Sequence, residues 1–496
     1  MYRLPKELYT VAQGRELDRR AMNVHELADG KLMELAGKEA FNVFRELWPG
    51  ARTIAVCCGP GNNGGDGLVL AELAFMHGYD VQLIKFGDPK NKHCKKLFER
   101  IKSYKIPQLE IKPQMFAETD VIVDAIFGTG LKRRLDGLVL QGVREINQSG
   151  KPILSLDIPT GLDSDTGTIW LDAVTATATI SFISLKLGIF MADGVEICGQ
   201  LLFSDLNVAQ SLTHSMEPIC RRIDVSLITE FINGLKKPRH KGEVGHLIVI
   251  GGSRGMSGAT YLAGQAALRS GAGRVTVLTH PNQLYYWTAV APEIMAHAIV
   301  NGRDLAPYLK TATAILIGPG LGVNNWSKSL MAEVLESQLP TVVDADALNL
   351  LSQNIFYKEN WILTPHPGEA GRLLCLSSAE VQRDRLKAAK QIQKKYGGNI
   401  VLKGAGTLVY SNNGDMYLCD QGNFGMATAG MGDVLAGTIG GLVSLGLNNA
   451  SASLCGTWIH SAAGDIAGKQ GQRGMIASDL FPYIRILMDN PSLIHE

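Results

Sequence analysis

The sequence has 496 residues, of which 46% are hydrophobic and 19% charged, a composition typical of globular proteins. A chain of this length can bury a large hydrophobic core and does not need disulfides or bound metals to fold. Its formal net charge of +1 gives no overall field to attract nucleic acid or an anionic membrane, so we expect neither as a partner. The N-terminus lacks the pattern of a signal peptide and the 8 cysteines form no C-x-x-C pair, which together favour the cytoplasm.

The first half alternates strand-like and helix-like patterns. Residues 11–47 are rich in helix formers, and we expect them to pack on a sheet or on a second subunit of a homo-oligomer. The predicted strands are Thr53–Cys58, Val81–Phe86, Val121–Phe127 and Ile153–Ile158, and the predicted helices are Gly67–His77, Lys92–Tyr104 and Leu138–Asn147. This alternation predicts βαβ units in a mostly parallel sheet covered by helices.

A second α/β series follows a break in the pattern. Strand signals end near Phe203, and basic residues collect between Lys236 and Lys241. We therefore place a boundary within 215–235 and predict domains at 1–220 and 228–496. The strands predicted in the second domain are Leu247–Ile250, Val275–Thr279, Ala314–Ile317, Thr341–Val343, Trp361–Leu363 and Ile400–Leu402, and helices are predicted to start after Ser257, near Asn325, after Asp346 and after Gly432.

The segment GPGNNGGDG, residues 59–67, follows the first predicted strand. Its glycines fit the G-x-G-x-x-G pattern of dinucleotide-binding loops, but the acidic residue usual after the second strand is not clear. Asn62, Asn63 and Asp66 add oxygens that suit a hard cation or ribose hydroxyls. The alternative is a polar turn stabilised by its own side-chain hydrogen bonds.

Two more loops follow predicted strands of the first domain. Asp124 lies in an apolar strand and precedes a Gly-Thr-Gly turn with three basic residues, which suits a phosphate group. The segment DIPTGLD, residues 157–163, follows the next strand. Because ligands of open parallel sheets bind beyond the carboxyl ends of the strands, we expect the three loops to converge on one site.

Taken in this order, the three motifs resemble the NAD(P)HX epimerase family over about residues 10–215. The resemblance implies a Rossmann-like domain in which Asp157 is the acid/base residue and a potassium ion lies near Asn63, Asp124 and Thr160. It also implies that hydrated NADH or NADPH contacts Asn62, Asn63, Gly64, Gly65, Asp66, Gly128, Thr129, Gly130, Leu131, Lys132, Arg133, Arg134 and Asp157. Loss of the C6 hydroxyl would give an iminium ion, to which water can return on either face.

The richest glycine cluster of the second domain, GNFGMATAGMGD at residues 422–433, precedes an apolar run with helical spacing. Gly430 and Gly432 leave amides free at the predicted helix N-terminus, which suits a transferring phosphoryl group. Asp433 is a candidate base for an attacking hydroxyl, the alternative being an ordinary helix N-cap. The sequence contains neither a Walker P-loop nor the protein-kinase motifs.

Further loops of the second domain carry GGSRGMSGA, GPGLG, DADALN, TPHPGE, KGAGT and AGMGDVLAG. As a set they resemble the NAD(P)HX dehydratase family of the ribokinase-like superfamily over about residues 228–490. The resemblance implies that the hydrate contacts Ala259, Gly320, His366 and Asp433, and that ADP or ATP contacts Lys403, Gly404, Ala405, Gly406, Thr407 and Gly432. Mg²⁺ would accompany the nucleotide phosphates, and two-domain chains of bacterial type resemble ADP users.

The two resemblances point to one substrate and predict a bifunctional enzyme of metabolite repair. The first domain would interconvert the R and S hydrates, and the second would dehydrate the S hydrate at the expense of ADP or ATP. The main alternative is a vitamin or sugar kinase with an accessory nucleotide-binding domain. A non-catalytic interaction module and an NAD-dependent oxidoreductase also remain, although the presence of Asn63, Asp124 and Asp157 argues against the former.

Overall fold

The computed structural model of the chain describes residues 4–24, 30–131, 133–208, 215–235 and 244–495. Lys132 and the basic cluster between Lys236 and Lys241 lie outside the described residues. The chain forms two compact units, the first ending at Arg221 and the second beginning at Arg222.

The first unit contains a parallel sheet and, outside that sheet, the short strands Glu7–Tyr9, Leu185–Lys186 and Cys220–Arg222. Its strands are β1 (Glu7–Tyr9), β2 (Thr53–Cys58), β3 (Asp80–Lys85), β4 (Gln108–Leu109), β5 (Val121–Ala125), β6 (Ile153–Leu156), β7 (Ala178–Phe182), β8 (Leu185–Lys186), β9 (Gln200–Ser204) and β10 (Cys220–Arg222). The main sheet has the order β4-β3-β2-β5-β6-β7-β9, and each neighbouring pair is parallel. Strand β1 pairs with β8 in parallel and with β10 in antiparallel orientation.

Helices cover both faces of this sheet. They are Val11–Val24, Lys31–Leu47, Asn62–Met76, Lys92–Ser103, Gly137–Gln148 and Gly194–Ile197, with a 3-10 helix at Leu187–Phe190. Ile54 and Val56 of β2 point into one apolar core, whereas Ala55 and Cys57 point into the other. Successive strand residues face opposite sides, so a continuously apolar strand is buried from both sides, as in doubly wound α/β folds.

The second unit repeats this design with an antiparallel edge. Its strands are β11 (His246–Ile250), β12 (Arg274–Thr279), β13 (Met295–Ala298), β14 (Ala314–Ile317), β15 (Thr341–Val343), β16 (Trp361–Leu363), β17 (Asn399–Leu402), β18 (Thr407–Tyr410) and β19 (Met416–Cys419). They run in the order β13-β12-β11-β14-β15-β16-β17-β18-β19, parallel as far as β17 and antiparallel beyond it.

The helices of the second unit pack closely through glycines. They are Val225–Asn233, Ser257–Arg269, Trp287–Val290, Ala306–Leu309, Asn325–Glu336, Ala345–Gln353, Pro367–Leu374, Ser378–Arg383, Arg385–Tyr396, Met431–Ser444, Asn449–Gly468 and Phe481–Asp489; the 3-10 helices are Pro281–Tyr286, Gly302–Leu305, Phe424–Met426, Ala477–Leu480 and Pro491–His495. A Cβ at Gly437 would lie 2.1 Å from the carbonyl oxygen of Ala263, so only glycine allows this approach. No helix in the described ranges has the length and apolar character needed to cross a bilayer.

The structure confirms the α/β class and corrects several element bounds. The helix expected from Gly67 begins at Asn62, so most of the predicted glycine loop is helical. The helix expected after Asp346 begins at Ala345, and the one expected after Gly432 begins at Met431. Strand β6 ends at Leu156 because Asp157 adopts a left-handed backbone with φ of 66°, which interrupts an extended strand.

Candidate active sites

A cavity of about 660 Å³ opens in the first unit at the carboxyl ends of its strands. The predicted residues that line it are Asn62, Asn63, Asp66, Gly128, Thr129, Gly130 and Asp157. Gly64, Gly65 and Leu131 are not part of the lining, and neither are Arg133 and Arg134, which are exposed. All three predicted loops therefore reach the cavity region, but the described basic residues of the second loop do not line it.

Glycines place the start of the helix Asn62–Met76 directly on the strand ends. A Cβ at Gly59 would lie 1.8 Å from the carbonyl oxygen of Ile126, and one at Gly64 would lie 1.9 Å from that of Gly59. Real Cβ atoms do not approach backbone so closely, so close packing accounts for this run of glycines. The helix N-terminus opens on the cavity, where its amides and its partial positive charge favour an anionic ligand.

Asp157 and Lys186 form an ion pair at the cavity wall. The Nζ atom of Lys186 lies 2.5 Å from Oδ1 of Asp157, and it also donates to Ser181 Oγ at 3.2 Å. The amide of Thr129 donates to the other Asp157 oxygen at 3.3 Å. Lys186 was not predicted as a site residue, although a lone lysine in the weakly polar stretch 173–192 was a signal that a buried charge needs a partner.

Two further carboxyl groups line the same cavity. Burial raises the pKa of Asp18 to about 6, with Lys186 opposing the rise and Asp157 adding to it. Burial also raises the pKa of Asp66 well above its usual range, and the negative charges of Asp157 and Asp18 contribute. The cavity thus places Asp18 and Asp66, two carboxyl groups with a raised pKa, in the same lining as Asp157 and Lys186, and clusters of this kind are candidates for proton exchange.

Asp124 is fully buried and bonded within the protein. One carboxylate oxygen accepts from the Thr160 hydroxyl at 2.7 Å, and the other accepts from the Thr160 amide at 2.8 Å and from Ser155 Oγ at 2.9 Å. Burial raises the pKa of Asp124, and these hydrogen bonds from Thr160 and Ser155 oppose the rise.

The Asn63 side chain has unmet bonding capacity. It is 8% exposed, and both its amide oxygen and its amide nitrogen are buried without a hydrogen-bond partner among the described residues. Gly128 lies beside it, since a Cβ there would be 3.4 Å from Asn63 Cγ, and the neighbouring Phe127 accepts from Thr160 Oγ1 at 3.1 Å. An orphaned amide oxygen near a threonine and a buried carboxylate is the type of oxygen set that a hard cation prefers.

Asp433 occupies the first turn of the helix Met431–Ser444 in the second unit. The N-cap residue is Gly430, with a left-handed φ of 89°, so Asp433 is not the capping residue. Burial raises the pKa of Asp433 to about 7, and the neighbouring charge of Asp344 adds to the rise while Lys403 opposes it. A carboxyl group that titrates near neutral pH is suited to general base catalysis.

Lys403 connects this helix start to two other acids. Its Nζ atom lies 2.8 Å from Asp344 Oδ1 and 3.7 Å from Glu369 Oε2. A Cβ at Gly432 would lie 3.2 Å from the same nitrogen, so the ammonium group stands next to the helix N-terminus. Burial lowers the pKa of Lys403, but the attraction of Asp344 and Glu369 outweighs burial and raises it. Asp344 and Glu369 lie in motifs noted in the sequence, but no role was predicted for them.

Among the other predicted residues of the second unit, His366 and Gly320 follow strands, and Ala259 lies in the first turn of the helix Ser257–Arg269. The His366 side chain is half exposed and caps the helix Pro367–Leu374, with Nδ1 accepting from the Gly368 amide at 3.0 Å. Burial lowers the pKa of its ring, although Glu369 opposes this effect. Gly320 is next to Ala259, since a Cβ at Gly320 would be 3.3 Å from the Ala259 Cβ. The described residues contain no group of three His, Cys, Asp or Glu side chains arranged to hold a metal.

The fold and the two sites define the class of the protein. It is a two-domain α/β protein in which each unit gathers titratable groups at the carboxyl ends of parallel strands. The first unit is Rossmann-like, and the second has the acid and glycine turn at a helix start that ribokinase-like enzymes use for phosphoryl transfer.

Comparisons with known proteins agree with this class. A family model described as NAD(P)H-hydrate dehydratase matches residues 247–485, and one described as YjeF-related protein N-terminus matches residues 29–188. A bifunctional NAD(P)H-hydrate repair enzyme of Coxiella burnetii is 42% identical over 485 residues, which are 97% of this chain and 99% of that protein. The enzyme of the same description from Escherichia coli is 38% identical over 498 residues, covering 99% of this chain and 95% of the relative.

A solved structure supports the fold of the second half. A ribokinase-like superfamily protein from Enterococcus faecalis is 28% identical with a TM-score of 0.51, covering 55% of this chain and 97% of that one. The chain belongs to the family of bifunctional NAD(P)H-hydrate repair enzymes. The family resemblance drawn from the sequence motifs is confirmed.

Proposed function

We propose that this chain repairs hydrated NADH and NADPH. Residues 1–220 interconvert the R and S hydrates, and residues 228–496 dehydrate the S hydrate to NADH or NADPH at the expense of ADP or ATP. The observation that carries the proposal is the presence of a separate acid in each unit, Asp157 beside Lys186 and Asp433 beside Lys403. A dehydratase that accepts one epimer leaves the other behind, and an epimerase on the same chain recovers it.

In the first unit, Asp157 exchanges the proton that epimerisation requires. The ring nitrogen expels the C6 hydroxyl as water once a proton is supplied, and the iminium ion then takes up water on either face and returns a proton. Lys186 holds the Asp157 carboxylate at 2.5 Å and keeps it turned toward the cavity. Asn62, Asp66 and the turn Gly128–Gly130 surround the hydrate within the cavity, and its phosphates extend toward Arg133 and Arg134, which are exposed outside the cavity lining.

Asn63, Asp124 and Thr160 would hold a potassium ion in the epimerase site, and the unpartnered amide oxygen of Asn63 supports this assignment. When bound, the ion supplies a fixed positive charge that offsets the buried Asp124 carboxylate and favours an anionic substrate.

In the second unit, Asp433 takes the proton of the C6 hydroxyl, whose oxygen attacks the terminal phosphoryl group of the nucleotide. Backbone amides at residues 429–433 and the Lys403 ammonium group stabilise the charge that develops during transfer. The ring nitrogen then expels phosphate from C6, and loss of a proton from C5 restores the dihydropyridine. The products are NADH or NADPH, phosphate, and AMP from ADP or ADP from ATP.

The nucleotide lies on Lys403–Thr407 and Gly432, and the hydrate meets Ala259, Gly320, His366 and Asp433. Mg²⁺ would arrive with the nucleotide phosphates as part of this substrate. We favour ADP over ATP, in line with two-domain chains of bacterial type. We also expect a homo-oligomer that works in the cytoplasm and needs no nucleic acid or membrane partner.

Chromatography of the two epimers tests this proposal. The purified protein is first given the R hydrate of NADH with K⁺ and no nucleotide, and we expect the S hydrate to appear. Addition of Mg²⁺ with ADP or ATP should then convert both hydrates to NADH. An R hydrate that stays unchanged would contradict the epimerase, and a stable phosphorylated hydrate would indicate a kinase instead of a dehydratase.

A further inference from the structure

Within the part of the chain that the structure describes, Arg385 is a buried cation without an anionic partner. Its side chain is at the start of the helix Arg385–Tyr396, and the residue is only 2% exposed. Burial lowers the pKa of its guanidinium to about 10, and among the described residues no carboxylate forms an ion pair with it. Because a buried guanidinium is costly when uncompensated, its position here needs an explanation.

The guanidinium bonds instead to the backbone of the loop that follows β17. Nη1 donates to the carbonyl oxygen of Ala405 at 2.6 Å, and Nη2 donates to that of Leu402 at 3.1 Å. The Thr407 hydroxyl donates to a third carbonyl oxygen, that of Gly404, at 3.1 Å. Hydrogen bonds to a charged donor are stronger than neutral ones, so Arg385 holds the backbone of this loop in place.

These bonds orient part of the loop's backbone. The carbonyl oxygen of Ala405 points at Arg385, so the N–H of the same peptide group, which is that of Gly406, points in the opposite direction. In the described chain, the amides of Gly404, Ala405 and Gly406 donate to no protein acceptor, and Gly404 and Ala405 are exposed. Free amides in a loop whose carbonyl oxygens are held by a buried cation are a suitable surface for phosphate oxygens.

Gly404 fits against the guanidinium in a way that other residues cannot. Its φ is 148°, and a Cβ there would lie 2.9 Å from Nη2 of Arg385. The lack of a side chain at Gly404 therefore leaves room for the Arg385 guanidinium. The guanidinium in turn holds the carbonyl oxygens of Leu402 and Ala405, which lie on either side of Gly404 in the chain.

We propose that Arg385 is the positioning residue of the nucleotide site: it holds Lys403–Thr407 in the shape that binds the phosphates of an adenine nucleotide, and its unpaired charge adds attraction for them. This inference rests on the proposed assignment of that loop to the nucleotide. Arg385 does not touch the reacting atoms, so its loss should weaken nucleotide binding more than it slows the chemical step.

The test compares Arg385→Met and Arg385→Lys with Arg383→Met, a matched control that removes an exposed arginine two positions away. Dissociation constants for ADP and ATP are measured by calorimetry, and KM and kcat are measured in the dehydratase assay. We expect Arg385→Met to weaken nucleotide binding and raise KM by about tenfold or more while kcat changes less than about threefold. Arg385→Lys should recover part of the loss, because it keeps the charge and one donor, and Arg383→Met should match the parent protein.

Epimerisation by the same preparation reports whether the first unit is intact, and a melting curve reports whether the second is. If Arg385→Met does not fold, Gly404→Ala replaces it, because its methyl group displaces the guanidinium from the other side, and it should weaken nucleotide binding in the same direction. Unchanged nucleotide affinity in folded Arg385→Met or Gly404→Ala protein would overturn the proposal, as would a parent protein that binds no nucleotide. A parent protein that binds nucleotide but does not dehydrate the hydrate would overturn the proposed function alone, since the affinities of the variants would still test Arg385.

Discussion

The Nζ atom of Lys186 lies 2.5 Å from Oδ1 of Asp157, in a cavity where the lysine side chain is 6% exposed and the aspartate side chain 18% exposed. Lys186→Met should reduce epimerisation by about a hundredfold or more, because the proton-exchanging carboxylate loses the group that holds it. Dehydration of the S hydrate should remain, since Lys186 belongs to the first unit.

The rate of R-to-S conversion, followed by chromatography, checks this prediction. Lys38→Met is the matched control, because Lys38 is exposed on the helix Lys31–Leu47. Loss of both activities in folded Lys186→Met protein would contradict the assignment of the two reactions to separate units.

Asp433→Asn should have the opposite effect. The amide is nearly the same size as the carboxyl group but cannot accept the proton of the C6 hydroxyl, so dehydration should fall by about a hundredfold or more. Epimerisation should continue at the parent rate. Asp489→Asn, which changes an exposed residue at the end of the last helix, should alter neither activity. Wild-type dehydration in Asp433→Asn would remove Asp433 from the mechanism.

The dehydratase should depend on pH through Asp433. Its pKa is raised to about 7, and a base works only when deprotonated, so kcat/KM should be half of its maximum near pH 7, level off about one pH unit above that, and fall as the pH drops. An ordinary aspartate would place the fall near pH 4. His366 cannot account for a midpoint at 7, because burial lowers its pKa from an ordinary value that is already below 7. A profile that is flat down to pH 5 would contradict the role of Asp433.

Potassium should stabilise the first unit through Asn63. Melting temperatures in KCl should exceed those in choline chloride at equal ionic strength, because an ion that binds only the folded state stabilises it. Asn63→Leu removes the orphaned amide and should abolish the difference without loss of the fold. An unchanged potassium response in Asn63→Leu would show that the ion, if it binds, is held elsewhere.

Two glycines of one motif should differ sharply in their tolerance of alanine. At Gly59 a Cβ would lie 1.8 Å from the Ile126 carbonyl oxygen, whereas at Gly61 it would meet nothing within 4 Å. Gly59→Ala should therefore lower the free energy of unfolding of the first unit by about 3 kcal/mol or more, while Gly61→Ala should change it by less than about 1 kcal/mol. Urea denaturation measures both, and equal effects would contradict the close packing of helix on strand.

Sequence patterns were sufficient for the α/β class and for the position of the polar loops at the strand ends. Strands such as Val121–Ala125 are buried from both sides and read as short apolar runs, and the polar loops after them were visible without a structure. The helix start at Asn62 was not predictable in the same way, since glycine disfavours helices and the close approach to Ile126 is a tertiary contact.

Lys186 and Arg385 were missed, and for Lys403, which was predicted as a nucleotide contact, the ion pair with Asp344 was missed; in each case topology makes the contact. Lys186 lies 29 positions beyond Asp157 and reaches it only once β6 and β7 have paired. Lys403 meets Asp344, 59 positions earlier, because β15, β16 and β17 are adjacent. Arg385 belongs to no motif, and its bonds to backbone carbonyls leave no trace in the sequence.

The most direct test of the central claim uses an equal mixture of R and S NADPH hydrate with Mg²⁺, K⁺ and either ADP, ATP or no nucleotide. The absorbance of reduced nicotinamide reports repair. The account predicts complete recovery with a nucleotide and none without it, because both epimers reach the dehydratase. Recovery that stops near half would contradict the epimerase, and no recovery with either nucleotide would contradict repair by this chain altogether.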